Sequence, residues 1–428
     1  MKYALLLLFP FIASGQMTVQ TVVSNEGSTE GIWLDGHCNI FFTTGRVVKK
    51  INAMSGAISI IAGTSSTSTG GDGSPATNVQ ILPYGLYSDE SGTVYIAEPD
   101  NNRVRRVDAS TGIITTFAGG GATSGDNGAA TNAQLNFPAN VYGDKEGNIY
   151  VAEKARIRKI SKSGLITTIA GTGIVGLSGD GGPATNSQIN YVQGMISDDR
   201  GNFYFADRLN HRIRKIDSKG IVTTYAGTSD GFSGDGGPAT AAQLSGPISF
   251  VIDYTGSMVI GDNQNNVLRR VNANTGIITT IAGVHGGGSL ANNIPATTAE
   301  IHPEFMYLDR SGNIYYSCFC QQIRKVTGYL PCLPNNGNSC GETAIPIVHA
   351  GEEYVKMYPN PAGDELHVKI VSGIYQALTI MNSTGQVVLQ QTIITTETEV
   401  PVGILPAGMY YASLRGSGGV VVKRFVKE

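Results

Sequence analysis

The sequence predicts an all-β protein: a six-bladed β-propeller, closed by its N-terminal strand and followed by a small C-terminal β-sandwich. First, a unit recurs about every 55 residues, each time ending in Ala-Gly-Thr or a close variant, at 62–64, 118–120, 170–172, 226–228 and 282–284. Second, each unit holds four short β-favouring runs between Gly, Asp and Asn. Third, 56 glycines among 428 residues and only 15% charged residues suit a chain of strands and tight turns.

Residues 1–15 are predicted to be a signal peptide. A basic residue at position 2 precedes an apolar run over 4–12, and small residues follow before Gln16. The apolar run is about half the roughly 20 residues that a membrane span needs, so no transmembrane anchor is expected.

Each repeat is interpreted as strands a, b, c and d, which in the fourth copy are predicted over 194–197, 202–206, 212–216 and 221–226. The turn between strands a and b begins with Asp in every copy, and in all but the first copy Gly follows three positions later. This pattern is typical of a type I turn, so the repeated Asp is assigned to the scaffold. The residues are Asp35, Asp89, Asp144, Asp198, Asp253 and Asp309.

The two ends of the propeller, assigned to 16–329, are predicted to meet in one blade. The sixth unit, 302–327, has runs for strands a, b and c but no Thr-rich strand d. Thr18–Val23 carries that missing pattern ahead of the first strand a. We therefore expect it to complete blade six and close the ring, which removes exposed sheet edges.

A glycine-rich connector, "SGDGGPATAAQL" at 233–244, joins strand d of one blade to strand a of the next. It lacks the Gly-Lys-Ser/Thr of a phosphate-binding loop, and Asp235 would repel a phosphate. It is predicted to be a turn in which Pro238 begins a short helical segment and Leu244 packs into the core; a weak Ca²⁺ loop is the alternative. The equivalents of Asp235 are Asp72, Asp126, Asp180 and Asn292.

These repeats resemble the NHL-repeat family of six-bladed propellers. The resemblance is carried by "GNFYFADRLNHRIRKIDSKGIVTTYAGT" in the fourth unit and "GNIYVAEKARIRKISKSGLITTIAGTG" in the third, and it covers roughly 17–327. The first and sixth units depart from it at "TTGRVVKKI" and "SCFCQQIRKV". The resemblance implies the fold but leaves function open, because such propellers include binding modules and some metal-dependent enzymes.

After a predicted linker over 330–352, residues 353–428 alternate apolar and polar positions, which predicts a small antiparallel sandwich. The segment resembles the type A C-terminal sorting domain of the type IX secretion system. The matching motifs are "YPNP" at 358–361, "NSTGQVV" at 382–388, "PAGMYY" at 406–411 and the basic end "VKRFVK". The resemblance implies the type IX secretion machinery as a partner, and a protein that is secreted or held at the cell surface.

The five cysteines are expected to meet oxidising conditions after export. Cys332 and Cys340 could close a small loop, whereas Cys318 and Cys320 are expected to lie too near each other in sequence to pair without strain. The spacing matches no standard zinc pattern.

Charge argues against nucleic acid as a partner, because a net charge of −3 provides no long-range attraction to phosphate backbones.

Strand c nevertheless carries two adjacent cations in every unit. Their stems are expected to cover β-surface while their charged ends reach acidic turns. The pairs are Lys49–Lys50, Arg105–Arg106, Arg158–Lys159, Arg214–Lys215, Arg269–Arg270 and Arg324–Lys325.

Candidate site residues are those that the repeat does not dictate. The position five residues before the repeated Asp, at the rim of the channel, is occupied by Glu30, Tyr84, Ala139, Gln193, Ile248 and Glu304. Ring closure makes Glu30 and Glu304 neighbours, so they could share a Ca²⁺ with main-chain oxygens or be two solvated glutamates. The loops are expected to be lowest at Glu30, because "SNEGST" before blade one is short.

Ligand contacts are predicted on the same face, which carries the d–a and b–c loops. The residues that break the repeat there are Tyr84, Gln193, Arg208, Asn210 and His211. No catalytic residue is assigned, because strand a offers the channel almost no acid or base. The preferred function is an exported, non-enzymatic binding module for a glycan, protein or surface polymer, with no cofactor required. The alternative is a Ca²⁺-dependent hydrolase or lyase with its site at the channel mouth.

Overall fold

The computed structural model describes residues 17–428 except 25–26, 54, 65–70, 123–124, 254, 310–311, 319, 330–354, 360, 371–374, 383–386, 393–396 and 417–418. The predicted signal peptide (1–15) and linker (330–352) lie outside the described residues, as do Cys332 and Cys340. Within the described part of the chain, no helix has the length and apolar character needed to cross a membrane.

Residues 18–327 form antiparallel sheets, the blades, each built on four strands that follow one another as a, b, c and d. The strands described there are β1 (Thr18–Ser24), β2 (Thr29–Leu34), β3 (Ile40–Thr44), β4 (Val47–Ile51), β5 (Ile58–Gly63), β6 (Ser74–Pro75), β7 (Leu86–Ser88), β8 (Val94–Glu98), β9 (Arg103–Val107), β10 (Ile113–Gly119), β11 (Asn140–Gly143), β12 (Ile149–Ala152), β13 (Ile157–Ile160), β14 (Ile166–Ala170), β15 (Val192–Ser197), β16 (Phe203–Asp207), β17 (Arg212–Ile216), β18 (Val222–Ala226), β19 (Phe250–Ile252), β20 (Met258–Asp262), β21 (Val267–Val271), β22 (Ile278–Gly283), β23 (Ile294–Pro295), β24 (Met306–Leu308), β25 (Ile314–Cys318) and β26 (Gln322–Thr327).

Blades one to five consist of β2–β5, β7–β10, β11–β14, β15–β18 and β19–β22, and blade six consists of β24, β25, β26 and β1. The innermost strands of neighbouring blades contact one another in cyclic order, so the blades stand around a central channel. In blade four the observed strands begin and end within two residues of the predicted ones.

The first strand of the described residues lies in the last blade. β1 pairs antiparallel with β26, from Thr18 opposite Thr327 to Ser24 opposite Gln322. The hydroxyls of Thr18 and Thr327 are hydrogen bonded at 2.9 Å, and Val19 is fully buried in this blade's core. The outer strand of blade six therefore comes from the other end of the propeller sequence.

Each connector follows the predicted turn chemistry and then enters the core between blades. In the blade four to five connector, Pro238 precedes a 3-10 helix and Leu244 is fully buried against Phe250 and Ile260. The 3-10 helices of the connectors are Ala76–Asn78, Ala130–Asn132, Ala184–Asn186, Ala239–Ala241 and Ala296–Thr298. Those of the b–c loops are Pro99–Asn101, Arg208–Asn210 and Asn263–Asn265.

The connector carboxylate binds a buried arginine of strand c. Asp235 accepts hydrogen bonds from Nε and Nη2 of Arg269, at 3.1 and 2.6 Å, and from the backbone N–H of Thr280 at 2.9 Å. Because this carboxylate faces an arginine, the structural turn is favoured over the Ca²⁺ loop. The equivalent pairs are Asp72–Arg105, Asp126–Arg158 and Asp180–Arg214.

In blades two to six the first cation of the strand c pair is therefore a core residue rather than a cover for surface, whereas Lys49 in blade one is only partly buried. Arg214 and Arg269 are fully buried, and each also lies about 3.5 Å from a second carboxylate, that of Asp207 or Asp262 at the end of strand b. The second cation of the pair stays partly exposed, and in blade three the ammonium of Lys159 lies 5.7 Å from the ring centre of Tyr150.

The turn between strands a and b has the predicted scaffold role. One carboxylate oxygen of Asp198 accepts hydrogen bonds from the N–H groups of Arg200 and Asn202, both at 2.9 Å. Gly201 has a φ of 78°, which suits glycine, and Cys38 adopts a φ of 63° at the equivalent place in the first copy.

Cys318 and Cys320, which the sequence predicts to be unable to pair without strain, do pair. The two are joined by a disulfide, with Cα atoms 5.0 Å apart. The reason is the tight reversal between β25 and β26, where Gln321 has a φ of 60°; this brings the two Cα atoms within the usual disulfide range.

The C-terminal segment forms two antiparallel sheets, as predicted. Its strands are β27 (Val355–Tyr358), β28 (Glu365–Ile370), β29 (Tyr375–Asn382), β30 (Val387–Thr392), β31 (Glu397–Pro401), β32 (Gly408–Gly416) and β33 (Gly419–Lys427). β27, β28 and β31 form one sheet and β30, β29, β32 and β33 the other, with Leu366, Leu378 and Phe425 fully buried in a shared core.

Candidate ligand-binding site at the channel mouth

A ring of hydrogen bonds joins the six blades around the channel. At each blade boundary the carbonyl of a rim residue accepts a hydrogen bond from the blade before it in the ring. The bonds are Gly31 N to Tyr84 O (3.2 Å), Gly85 N to Ala139 O (3.2 Å), Asn140 Nδ2 to Gln193 O (3.2 Å), Gly194 N to Ile248 O (2.7 Å), Ser249 Oγ to Glu304 O (2.5 Å) and Ser317 Oγ to Glu30 O. The ring fixes the backbone of every rim position.

Glycine is required where the inner strands approach most closely. A Cβ on Gly31 would lie 2.4 Å from the carbonyl oxygen of Tyr84, and one on Gly85 would lie 2.2 Å from Oδ1 of Asn140. A side chain larger than that of glycine would therefore clash with the neighbouring blade at these two positions.

Glu304 is the most unusual residue of this rim. Its side chain is 0% exposed, and neither carboxylate oxygen has a hydrogen-bond partner within the described residues. Burial, with the negative charge of Glu30 as a smaller cause, raises the pKa of Glu304 to about 8, and Arg208 opposes the shift.

Glu30 is the partly exposed partner of this carboxylate, in the neighbouring blade. Burial raises the pKa of Glu30 above its usual value. The backbone carbonyls of Glu30 and Glu304 accept hydrogen bonds from the hydroxyls of Ser317 and Ser249. Among the described residues, no three His, Cys, Asp or Glu side chains are grouped to hold a metal ion, and the Ca²⁺ site stays a prediction.

Tyr84 and Gln193 meet across the channel from blades two and four. Nε2 of Gln193 donates a hydrogen bond of 2.9 Å to the Tyr84 hydroxyl. Gln193 is fully buried, and its Oε1 has no partner in the described part of the chain. Burial and the charge of Glu304 raise the pKa of Tyr84, while Arg208 opposes the shift, so these four side chains share one electrostatic environment.

Arg208 supplies the positive charge at the mouth. Its guanidinium lies 5.7 Å from the ring centre of Tyr191, and its Nε is buried without a partner among the described residues. Tyr191 has a φ of 62°, and its ring contacts that of Phe137, whose φ is 53°. Sequence reasoning missed both aromatic residues; the available signal was an aromatic residue two positions before the rim in blades three and four.

The other two predicted contacts are held by the scaffold. Nδ2 of Asn210 donates to the carbonyl of Gly176 at 2.7 Å and to Asp207 at 2.9 Å. Nδ1 of His211 accepts the N–H of Gly246 at 3.1 Å. The structure thus brings Tyr84, Gln193 and Arg208 together with Glu30 and Glu304, while Asn210 and His211 shape the adjacent loops.

An exposed apolar surface borders Arg208 on the same face. Ile174 is 63% exposed, and it belongs to a loop that Asn210 ties to the b–c loop of blade four. Sequence reasoning missed this surface, because isolated apolar residues in a glycine-rich connector look like ordinary variation. Its large exposed side chains are Ile174, Val175, Leu177 and Leu209.

Comparison with known families agrees with this architecture. Residues 119–178 match the Teneurin NHL domain, and residues 356–428 match the secretion system C-terminal sorting domain. The chain is an NHL-repeat propeller with a secretion sorting domain. The sorting domain directs the NHL propeller through type IX secretion to the cell surface or the extracellular space.

The NHL propeller is similar to segments of much longer proteins. It is 25% identical to Teneurin-1 of Mus musculus over 232 residues, which is 48% of this chain and 8% of that protein. It is 24% identical to the chloroplastic protein Suppressor of quenching 1 of Arabidopsis thaliana over 251 residues, 55% of this chain and 24% of that protein. The chain thus spans less than a quarter of the length of either relative.

Solved structures share the fold of the NHL propeller. A Bacteroides thetaiotaomicron protein of unknown function is 17% identical with a TM-score of 0.53, covering 72% of this chain and 75% of its own. An auxiliary nutrient binding protein from Bacteroides ovatus is 14% identical with a TM-score of 0.53, covering 73% of this chain and 76% of its own. These likenesses concern the fold alone.

Proposed function

We propose that this protein is an exported binding module that takes a glycan, protein or surface polymer at the channel mouth formed by Glu30, Tyr84, Gln193, Arg208 and Glu304. The observation that carries the proposal is the fully buried carboxylate of Glu304, which has no hydrogen-bond partner among the described residues. The rim backbone around it is held by the hydrogen-bond ring, so the backbone of the mouth is preorganised.

A glycan is the ligand class that the polar atoms of the mouth favour. Both carboxylate oxygens of Glu304, Oε1 of Gln193 and Nε of Arg208 are buried without partners among the described residues. Leaving a buried polar atom unpaired costs about 1–3 kcal/mol. Sugar hydroxyls donate and accept hydrogen bonds, so a glycan that displaces the side chains covering these atoms would satisfy the donors and acceptors together, while Tyr84 and Tyr191 offer ring surface.

The test is a glycan and surface-polymer array probed with the full mature chain, with and without Ca²⁺, followed by calorimetric titration of the hits. Glu304→Gln and Gln193→Met should each weaken binding at least tenfold. Glu146→Gln makes the same chemical change as Glu304→Gln at an exposed residue near the other end of the channel and should leave affinity unchanged. Equal affinity in all four proteins would remove the mouth from consideration.

A Ca²⁺-dependent hydrolase or lyase at the same mouth is the second candidate. It is favoured by two neighbouring carboxyl groups in unequal environments, since Glu304 has a pKa of about 8 and Glu30 is more exposed. Such a pair can divide acid and base roles. Mass spectrometry of each array hit after incubation with the protein and Ca²⁺ decides between the two: fragments that disappear with chelator or with Glu304→Gln indicate an enzyme, and intact ligand indicates a binding module.

A further inference from the structure

The opposite end of the channel holds a cavity of about 670 Å³ that the mouth residues do not line. It opens among the a–b turns and is bordered by residues of strand a in every blade. The ring of hydrogen bonds between rim residues separates it from Glu304 and Gln193. Its volume lies within the range of small-molecule sites.

Aromatic side chains form one continuous wall of this cavity. They come from the position two residues before the turn Asp in blades six, one, two and three, and they are Tyr307, Trp33, Tyr87 and Tyr142. Consecutive ring centres lie 5.1, 4.8 and 6.4 Å apart. In blades four and five the same position holds Ile196 and Val251, so the aromatic wall covers one side of the cavity, which we call the funnel.

A single glycine makes room for the wall. Gly143 occupies the position just before Asp144, and a Cβ there would lie 2.3 Å from the ring of Tyr87. Blade three therefore accepts the Tyr87 ring where a larger residue would displace it.

The opening of the funnel is lined by acidic side chains. Burial acts to raise the pKa of Asp144, but hydrogen bonds from Asn148 and Tyr150 outweigh it and hold that pKa below its usual value, so the group is charged at neutral pH. The one basic residue among the lining residues, Lys145, lies 3.4 Å from the carboxylate of Asp199. The acidic lining residues are Asp35, Asp89, Glu90 and Asp144.

We propose that this funnel binds an organic cation, a quaternary or methylated ammonium group held against the wall of Trp33, Tyr87, Tyr142 and Tyr307. Aromatic rings attract such cations through their quadrupole, and an ammonium group shielded by methyl groups loses little hydration on entry. The carboxylates around the opening also attract a cation at long range. The aromatic and acidic surfaces thus select the same ligand chemistry.

Trp33 provides a direct test, because it is the only tryptophan in the chain and it lines the cavity. Choline is titrated into the full mature chain while Trp33 emission is recorded, in parallel with 3,3-dimethylbutan-1-ol, a neutral compound of the same shape. Choline should cause a saturable change, with affinity about tenfold higher than that of the neutral compound. No saturable change with choline, or equal affinity for the two compounds, overturns the proposal.

Variants locate the binding. Gly143→Ala and Tyr87→Leu should each weaken choline binding at least fivefold, because both remove the Tyr87 ring from its place in the wall. Glu304→Gln, at the other end of the channel, should leave choline affinity unchanged. Near-ultraviolet circular dichroism confirms that each variant is folded. Unchanged choline affinity in a folded Tyr87→Leu protein also overturns the proposal, and a neutral oligosaccharide that saturates the same signal with higher affinity than choline does so as well.

Discussion

Asp235 accepts hydrogen bonds from both Nε and Nη2 of Arg269, 34 residues further along the chain, at 3.1 and 2.6 Å. Nη1 of the same guanidinium donates to the carbonyl of Gln243 at 2.6 Å and lies 3.6 Å from the buried carboxylate of Asp262. One side chain of strand c therefore holds the connector, the end of strand b and the entry to the next blade together. This role explains why the connector repeats so closely.

Arg269→Leu should lower the free energy of unfolding by about 3 kcal/mol, because it leaves Asp262 buried without its compensating charge. Urea denaturation of both proteins at neutral pH measures the loss. Lys215→Leu removes a partly exposed cation of strand c in the preceding blade and should change stability by less than about 0.5 kcal/mol. Similar losses in the two variants would contradict a special role for the buried arginine.

Glu304→Gln should make stability less dependent on pH. Because the folded-state pKa of Glu304 is about 8, well above the value of an exposed carboxyl, its contribution is fully present below about pH 4.5 and is lost as the pH rises through 8. The free energy of unfolding of the variant should therefore increase relative to that of the natural protein as the pH rises, by up to about 4 kcal/mol at pH 8. Urea denaturation of both proteins at pH 5, 7 and 9 checks this. A difference that stays constant with pH would show that the carboxyl is not desolvated.

Gly85→Ala should destabilise the propeller by about 1–3 kcal/mol, since the new methyl group would lie 2.2 Å from Oδ1 of Asn140 and disturb the ring of hydrogen bonds. Gly36→Ala is the matched control, because a Cβ there meets no atom within 4 Å. Thermal unfolding followed by circular dichroism compares the two. An equal midpoint in both variants would mean that the inner strands can move apart at little cost.

Removal of 17–24 should destabilise blade six and lower the thermal midpoint of the whole propeller, because β26 loses its outer partner and the core loses Val19. A synthetic peptide of residues 16–26 added in trans should restore part of the midpoint. A truncated chain that melts like the complete one would show that β1 does not contribute to closure.

Local chemistry was sufficient to predict the repeating parts of this fold. The Asp at the start of each a–b turn, such as Asp198, bonds the amides within its own turn, so its role can be deduced from four residues. Strand order and the relation between Thr18–Val23 and the sixth unit follow from the period of the repeat. The sorting domain is likewise recognisable from its own motifs.

The sequence by itself determined which positions form the rim, because these stand at a constant distance from the turn Asp. Only the tertiary structure decided that Glu304 is buried without a hydrogen-bond partner in the described part of the chain while Glu30 remains partly exposed, and that Asn210 donates to a loop carbonyl. It also decided that Trp33 and Tyr87 join in one wall, which sequence reasoning missed entirely. The physical reason is that desolvation, pairing and ring contact depend on atoms from neighbouring blades, about 55 or more residues away, and these atoms meet only when the ring closes.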